Sequence, residues 1–231
     1  MAGHSETGPP AAGAGLALRR RDIFGLAGLL VVVGVVLALV VHGGAAIKGP
    51  GGVAATHGGR YDGLALSSAE TAPPLALDNY LGTPVNLASY RGKAVLVTFL
   101  YTHCPDVCPL IASHLHTALA EMPAAERRSL QIIAVSVDPR GDTPSTVAAF
   151  LAAHEMTGQM QYLIGSAGVL RPVWKDWGVA AAAQAAADDP DLVAHTALVY
   201  GITARGKITV IYPSNFSPSE IVHDVRILSA T

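Results

Sequence analysis

The chain lacks most of what would point to nucleic acid. Only 14% of its 231 residues are charged, the formal net charge is −2, and no basic cluster stands outside a single arginine run near the N-terminus. That balance argues against a nucleic-acid partner. Cysteine is nearly absent as well, with two residues at positions 104 and 108. No third thiol competes with that pair for whatever chemistry it performs. No internal repeat is visible, which leaves one domain of ordinary size plus an appendage. No cysteine closes the apolar N-terminal run, which argues against lipoprotein attachment there.

What is abundant is apolar surface, at 51% hydrophobic residues. Much of it has a local source, the 19 uncharged residues from Ile23 to Val41. That run is long enough to cross the ~30 Å of bilayer hydrocarbon as a helix. Arg19, Arg20 and Arg21 precede it, so the positive-inside rule puts the short N-terminus in the cytoplasm and the rest outside. A cleaved signal peptide usually has a shorter apolar core of ~7–15 residues, and a retained anchor is the expectation. Residues 1–22 read as a disordered cytoplasmic tail, 23–41 as a transmembrane helix, 42–60 as a flexible tether with seven glycines, and 61–231 as the folded domain. Both readings of the run imply export to the far side of the cell membrane.

Within the domain, apolar runs alternate with helical patterns, the signature of an α/β fold. Ala94 to Leu100 and Gln131 to Val137 are near-continuous β-branched runs, as in strands buried on both faces. Leu75 to Leu77 and Val85 to Leu87 flank a turn at Gly82-Thr83-Pro84. Helices are expected over Leu110 to Glu121, from Pro144 to about Ala153 behind a Thr143 cap, and between Ala167 and Trp177. Thr196 to Ile202 and Gly206 to Tyr212 form a hairpin pattern. Ser217-Pro218-Ser219-Glu220 is a capping box that starts a last helix through Leu228. This order matches a thioredoxin-like fold with an N-terminal extension and an inserted helix.

The two cysteines lie in Cys104-Pro105-Asp106-Val107-Cys108-Pro109, directly after the first core strand. Pro109 suits the first helical position, which makes Cys108 the expected N-cap and leaves Cys104 in the preceding loop. The helix N-terminus then favours a Cys108 thiolate. Such a pair can bind a soft metal, exchange disulfides or form a structural disulfide, and an exported location leaves all three open. Copper(I) held by two thiolates often takes a third ligand, for which imidazole is suited. Nine histidines are available, and local sequence selects none of them.

Tyr101-Thr102-His103-Cys104-Pro105-Asp106-Val107-Cys108-Pro109 resembles the signature of the Sco/SenC family of copper-binding assembly proteins. Val135-Ser136-Val137-Asp138-Pro139 with Asp142-Thr143-Pro144 is similar to that family's second block. Ala194-His195-Thr196 is similar to its histidine block, with Gly206 eleven residues on, and Arg91-Gly92-Lys93 fits ahead of the first core strand. The resemblance covers roughly residues 61 to 230. It implies Cys104, Cys108 and His195 as ligands for copper, as Cu(I) or Cu(II), in a membrane-anchored thioredoxin-like domain. Two departures stand out: Ala194 replaces an acidic residue before the histidine, and Gly141 stands where the family often has arginine.

The resemblance implies a metallochaperone that passes copper to the binuclear copper site of cytochrome c oxidase. Its partners would be the copper-bearing oxidase subunit and a further copper chaperone or thiol reductase. The alternative is an exported thiol–disulfide oxidoreductase using the Cys104–Cys108 disulfide. Thioredoxin-like reductases use a Cys-x-x-Cys spacing and a proline before the facing strand. This chain has one more residue between its cysteines and no proline between Asp191 and Thr196. A peroxidase is disfavoured by the lack of a Pro-x-x-x-Thr-x-x-Cys setting.

Overall fold

The computed structural model of the chain describes residues 47–48, 54–56, 59–179 and 197–231. The elements run β1 (Ile47–Lys48), β2 (Ala54–Thr56), β3 (Leu64–Thr71), β4 (Ala76–Asp78), β5 (Pro84–Asn86) and β6 (Ala94–Leu100). Helices α1 (Val107–Glu121) and α2 (Ala124–Arg128) precede β7 (Leu130–Ser136). Then come α3 (Pro144–Ala153), β8 (Met160–Leu163), α4 (Ala167–Asp176), β9 (Leu198–Ile202), β10 (Lys207–Pro213) and α5 (Pro218–Ala230). The fold is α/β, as expected.

The centre of the sheet follows from its sequence. All seven residues of β6, Ala-Val-Leu-Val-Thr-Phe-Leu, are buried. A strand covered on both faces has no reason to alternate polar and apolar side chains. β6 pairs in parallel with β7, and β7 with β8, so each step needs a helical crossover. On its other side β6 pairs antiparallel with β9, which forms a hairpin with β10. The sheet order is β1-β2-β3-β10-β9-β6-β7-β8, and β4 and β5 make a separate two-stranded ribbon. Gly206 turns the hairpin at φ +74°, and the Arg91 guanidinium fills the space its Cβ would need.

This topology prepares one edge for chemistry. Because β6, β7 and β8 are parallel, their C-terminal ends open on the same side, where loops feed α1, α3 and α4. β9 begins at that edge too, since Thr98 near the end of β6 faces Val199. The Thr98 hydroxyl donates to the Leu198 carbonyl at 3.0 Å.

The structure departs from the sequence reading in several places. β8 has no counterpart in the sequence reading, because its four residues, Met-Gln-Tyr-Leu, contain no β-branched run. β3 is half polar and escapes a hydrophobic pattern search, yet it pairs along β10. The stretch 42–60, expected to be a plain tether, contains β1 and β2, and β2 pairs with the free edge of β3. An open strand edge offers unpaired N–H and C=O groups that draw such pairing. Among the described residues no helix is long and apolar enough to cross a membrane. The expected transmembrane run 23–41 and tail 1–22 lie outside the described residues.

Candidate metal centre

The cysteine loop leaves the buried end of β6. The Tyr101 carbonyl accepts the Cys104 N–H at 3.3 Å, turning the chain toward α1. That helix starts at Val107, so its N-cap is Asp106 and not Cys108 as the proline suggested. Pro109 occupies the third helical position, where an N–H has no intrahelical acceptor and is not missed. Cys108 is therefore the second residue of the helix, and its N–H points to the Cys104 sulfur at 3.3 Å. Both cysteines are free and buried.

Their surroundings make the two thiols unequal. The Cys108 thiol donates to Cys104, and this outweighs burial and lowers Cys104 to about 5; the Asp106 and Cys108 N–H groups add to the effect. The Tyr101 hydroxyl, buried and without a close hydrogen-bond partner, also favours the Cys104 thiolate. Cys108 is pushed up, first by donating to Cys104, then by complete burial and the neighbouring negative charge. The pair is thus a thiolate beside a protonated thiol, with the helix N-terminus stabilising Cys104, where the sequence reading assigned the thiolate to Cys108.

A buried carboxylate fixes the loop. Asp142 accepts the Thr102 N–H at 2.8 Å, the Ser136 hydroxyl at 2.6 Å and the Tyr162 hydroxyl at 3.0 Å. It thereby ties the strand ends of β7 and β8 to the residue two positions before Cys104. Burial raises its pKa, and its hydroxyl and amide donors pull the other way. Ser136 also accepts the Asp138 N–H at 3.1 Å, and Trp174 Nε1 donates to the Ser136 carbonyl at 2.9 Å. Gly141 leaves room here: a Cβ would meet the Asp138 carboxylate and crowd His103 Nδ1, so those side chains would have to shift.

The histidines divide clearly. His103 is exposed and turns toward Thr102, with Nδ1 at 3.3 Å from its hydroxyl. His154 caps the end of α3 and packs on Phe150 at 4.6 Å. His116 faces Glu155 at 3.6 Å. His223 lies between Asp62 and Asp224, with Nδ1 3.5 and 2.7 Å from their carboxylates. Those three residues could gather a cation, but Asp224 is already occupied by the Asp62 and Gly63 N–H groups and the Tyr212 hydroxyl. His195 lies outside the described residues.

The site therefore brings together Cys104 and Cys108; sequence reasoning placed Tyr101, Ser136 and Asp142 in motifs without a role and missed Tyr162. Asp142 enters the sequence reading only as part of the family's second block, with no role attached, and its burial is a tertiary fact. Two soft sulfurs joined through the Cys108 N–H, one of them with its pKa lowered to about 5, fit a thiophilic ion such as Cu(I). The same pair can also exchange disulfides, since a thiolate attacks and a protonated neighbour is at hand.

The family model described as SCO1/SenC matches residues 65–230. The mouse mitochondrial protein SCO2 homolog is 28% identical over 153 residues, covering 65% of this chain and 59% of that one. The structure of BsSco, described as a Sco-family cytochrome c oxidase assembly protein with a disulfide switch, is similar with a TM-score of 0.59. That likeness has 25% identity and covers 70% of this chain and 95% of the other. Copper-bound yeast Sco1 gives a TM-score of 0.56 at 18% identity, over 70% and 93% of the two chains, a likeness of fold alone. The chain spans about half the length of the curated relatives it matches.

Proposed function

The chain belongs to the SCO1/SenC family, and from that premise we propose that it carries copper to cytochrome c oxidase during assembly of that enzyme. One observation carries the reading: the only two sulfur ligands of cysteine type meet at the start of α1, one of them as a thiolate. Soft thiolates select Cu(I), while imidazole suits copper in either oxidation state. Cys104 and Cys108 supply the sulfurs and His195 the third donor, with a further oxygen ligand for Cu(II). The register of β9 supports His195. Leu198, three positions on, is bonded beside the end of β6, and three residues of chain reach at most ~10 Å.

Copper is cargo here, so the site must release it. Ligands on a loop and a helix end, close to a strand edge, favour exchange over burial of the ion. The receiver is the copper-bearing oxidase subunit, and another copper chaperone and a thiol reductase supply the ion and keep the pair reduced. A relative named for oxidase assembly supports this assignment. The flanking arginines and apolar run support a single-pass anchor at 23–41 in the cell membrane, a cytoplasmic tail over 1–22, and a functional domain at 61–231 on the exported side.

The unequal thiols favour a second reading, a thiol–disulfide oxidoreductase that reduces the oxidase copper site. His195→Ala separates the two. The first reading expects that variant to lose copper and fail to mature the oxidase in cells while its disulfide still forms and reduces reversibly. Normal oxidase maturation by His195→Ala, with failure of Cys108→Ser, would hand the result to the reductase.

A further inference from the structure

The start of α1 has an unusual contest for one N–H. In this 15-residue helix the first three positions are Val107, Cys108 and Pro109. An N-cap side chain ordinarily accepts from the second or third N–H. Pro109 has none, and that of Cys108 is given to the Cys104 sulfur at 3.3 Å. Asp106, the N-cap residue and among the best capping types, makes no side-chain cap bond, and its backbone (φ −140°, ψ −72°) is not extended. Two other N-caps of the fold, on extended backbone, do accept, while Ser166 ahead of α4 does not. Asn86 (φ −126°, ψ 123°) accepts from the Ala88 N–H, and Thr143 (φ −96°, ψ 163°) accepts from the Thr146 N–H. The Cys104 sulfur thus takes the N–H that an N-cap side chain ordinarily accepts.

We propose that Asp106 is a positioning residue held in reserve, which takes the Cys108 N–H when the Cys104 sulfur is engaged by a disulfide or a metal ion. The proposal rests on the reading of the pair as a site that cycles between free and engaged sulfur. While its sulfur is free, Cys104 accepts the Cys108 N–H and so serves as the cap of the helix. Engagement loosens that acceptor. The exposed Asp106 carboxylate restores a cap by rotating its backbone toward the extended form that Asn86 and Thr143 adopt. Asp106 thus stabilises the engaged state and leaves the free thiols alone.

The test equilibrates the full-length chain with the reduced and oxidised dithiothreitol couple. The Cys104 thiolate and Cys108 thiol give two electrons to the dithiothreitol disulfide. The reagent takes up two protons, one from Cys108 and one from solvent, and the S–S bond forms within the protein. Asp106→Ala is expected to shift this equilibrium toward the thiols by about fivefold, the size of an ordinary N-cap loss, or roughly 20 mV for a two-electron couple. Its melting midpoint should fall in the disulfide form and stay unchanged in the reduced form. Asp106→Asn should restore the disulfide form, because asparagine caps as well as aspartate. An unchanged equilibrium, or an equal loss of stability in both forms, overturns the proposal. If Asp106→Ala does not fold, amide exchange of the wild type decides: Cys108 must stay protected in the disulfide form, and fast exchange there overturns it. A chain that binds no copper would sink the metallochaperone reading without touching these outcomes.

Discussion

Asp142 and Asp224 are the two carboxylates buried among the described residues, and the fold uses them in nearly the same way. Each pegs a segment distant in sequence. Asp142 holds the Thr102 N–H together with hydroxyls of Ser136 and Tyr162. Asp224 holds the N–H groups of Asp62 and Gly63 together with the Tyr212 hydroxyl. They differ in compensation. The Asp224 carboxylate has the His223 imidazole at 2.7 Å, which also faces Asp62. Asp142 has only uncharged donors, stands beside the thiols and helps push Cys108 up. A buried charge with a basic neighbour is architecture; one without it enters the electrostatics of whatever lies next to it.

If the edge around Asp142 is the functional one, substitutions there should move copper and substitutions around Asp224 should not. The largest effect belongs to the sulfurs themselves. Cys104→Ser and Cys108→Ser are each expected to lose tight copper entirely, well beyond the ~10–100-fold that outer-shell changes cost. Equilibrium dialysis against a Cu(I) chelator measures it, and retention of tightly held copper by either variant defeats the site assignment.

Next in size are the carboxylates. Asp142→Ala and Asp224→Ala each strand two buried donors and a part-buried one, and each should cost about 3 kcal/mol in urea unfolding. Only Asp142→Ala should also weaken copper, by ~10–100-fold, because it frees the residue two positions before Cys104. Equal copper affinities in the two folded variants would erase the distinction between the two pegs.

Much of this arrangement is legible in the amino-acid sequence. β6 and β7 declared themselves through β-branched runs, and α3 through Thr143 and Pro144, because those signals are local and the burial is two-sided. The cysteine pair was legible by elimination. The inequality of its thiols was not, and the thiolate was assigned to Cys108. Which sulfur accepts the Cys108 N–H depends on helix α1 starting at Val107, two residues before the proline that seemed to mark it. β3 and β8 were missed for a related reason: partly polar or very short strands gain their identity from the partner strand and not from their own pattern. Asp142 carries no local signal at all, since an aspartate before an N-cap threonine looks like any turn residue.

A smaller effect follows from the thiols. Cys104 is lowered to about 5, so its alkylation by iodoacetamide should be nearly pH-independent between pH 9 and 6 and half-maximal at about 5. Cys108, pushed up and buried, should stay unmodified across that range. Because the folded value of Cys104 lies below its ordinary one, the stability it contributes is present above the ordinary value and is lost as pH falls through about 5. Peptide mapping of the alkylated protein reads the selectivity, and preferential labelling of Cys108 would reverse the roles assigned to the two sulfurs.

The smallest expected effect tests the missing compensation around Asp142 directly. Its pKa is raised, chiefly by burial, so the folded state favours the protonated carboxyl. The sign of the linkage then runs opposite to that of Cys104: the contribution is fully present below the ordinary value of 3.8 and is lost as pH rises through the folded value. Asp142→Asn keeps an oxygen for the Thr102 N–H and has no proton to lose. The stability of wild type relative to Asp142→Asn should therefore decline as pH rises from about that value, with a slope no steeper than about 1.4 kcal/mol per pH unit for a single proton. Urea unfolding of both proteins from pH 3 to 8 gives the difference, in which titrations common to the two cancel. A difference that instead grows in favour of the wild type with rising pH would mean that Asp142 is compensated after all, and that the two buried carboxylates do the same job.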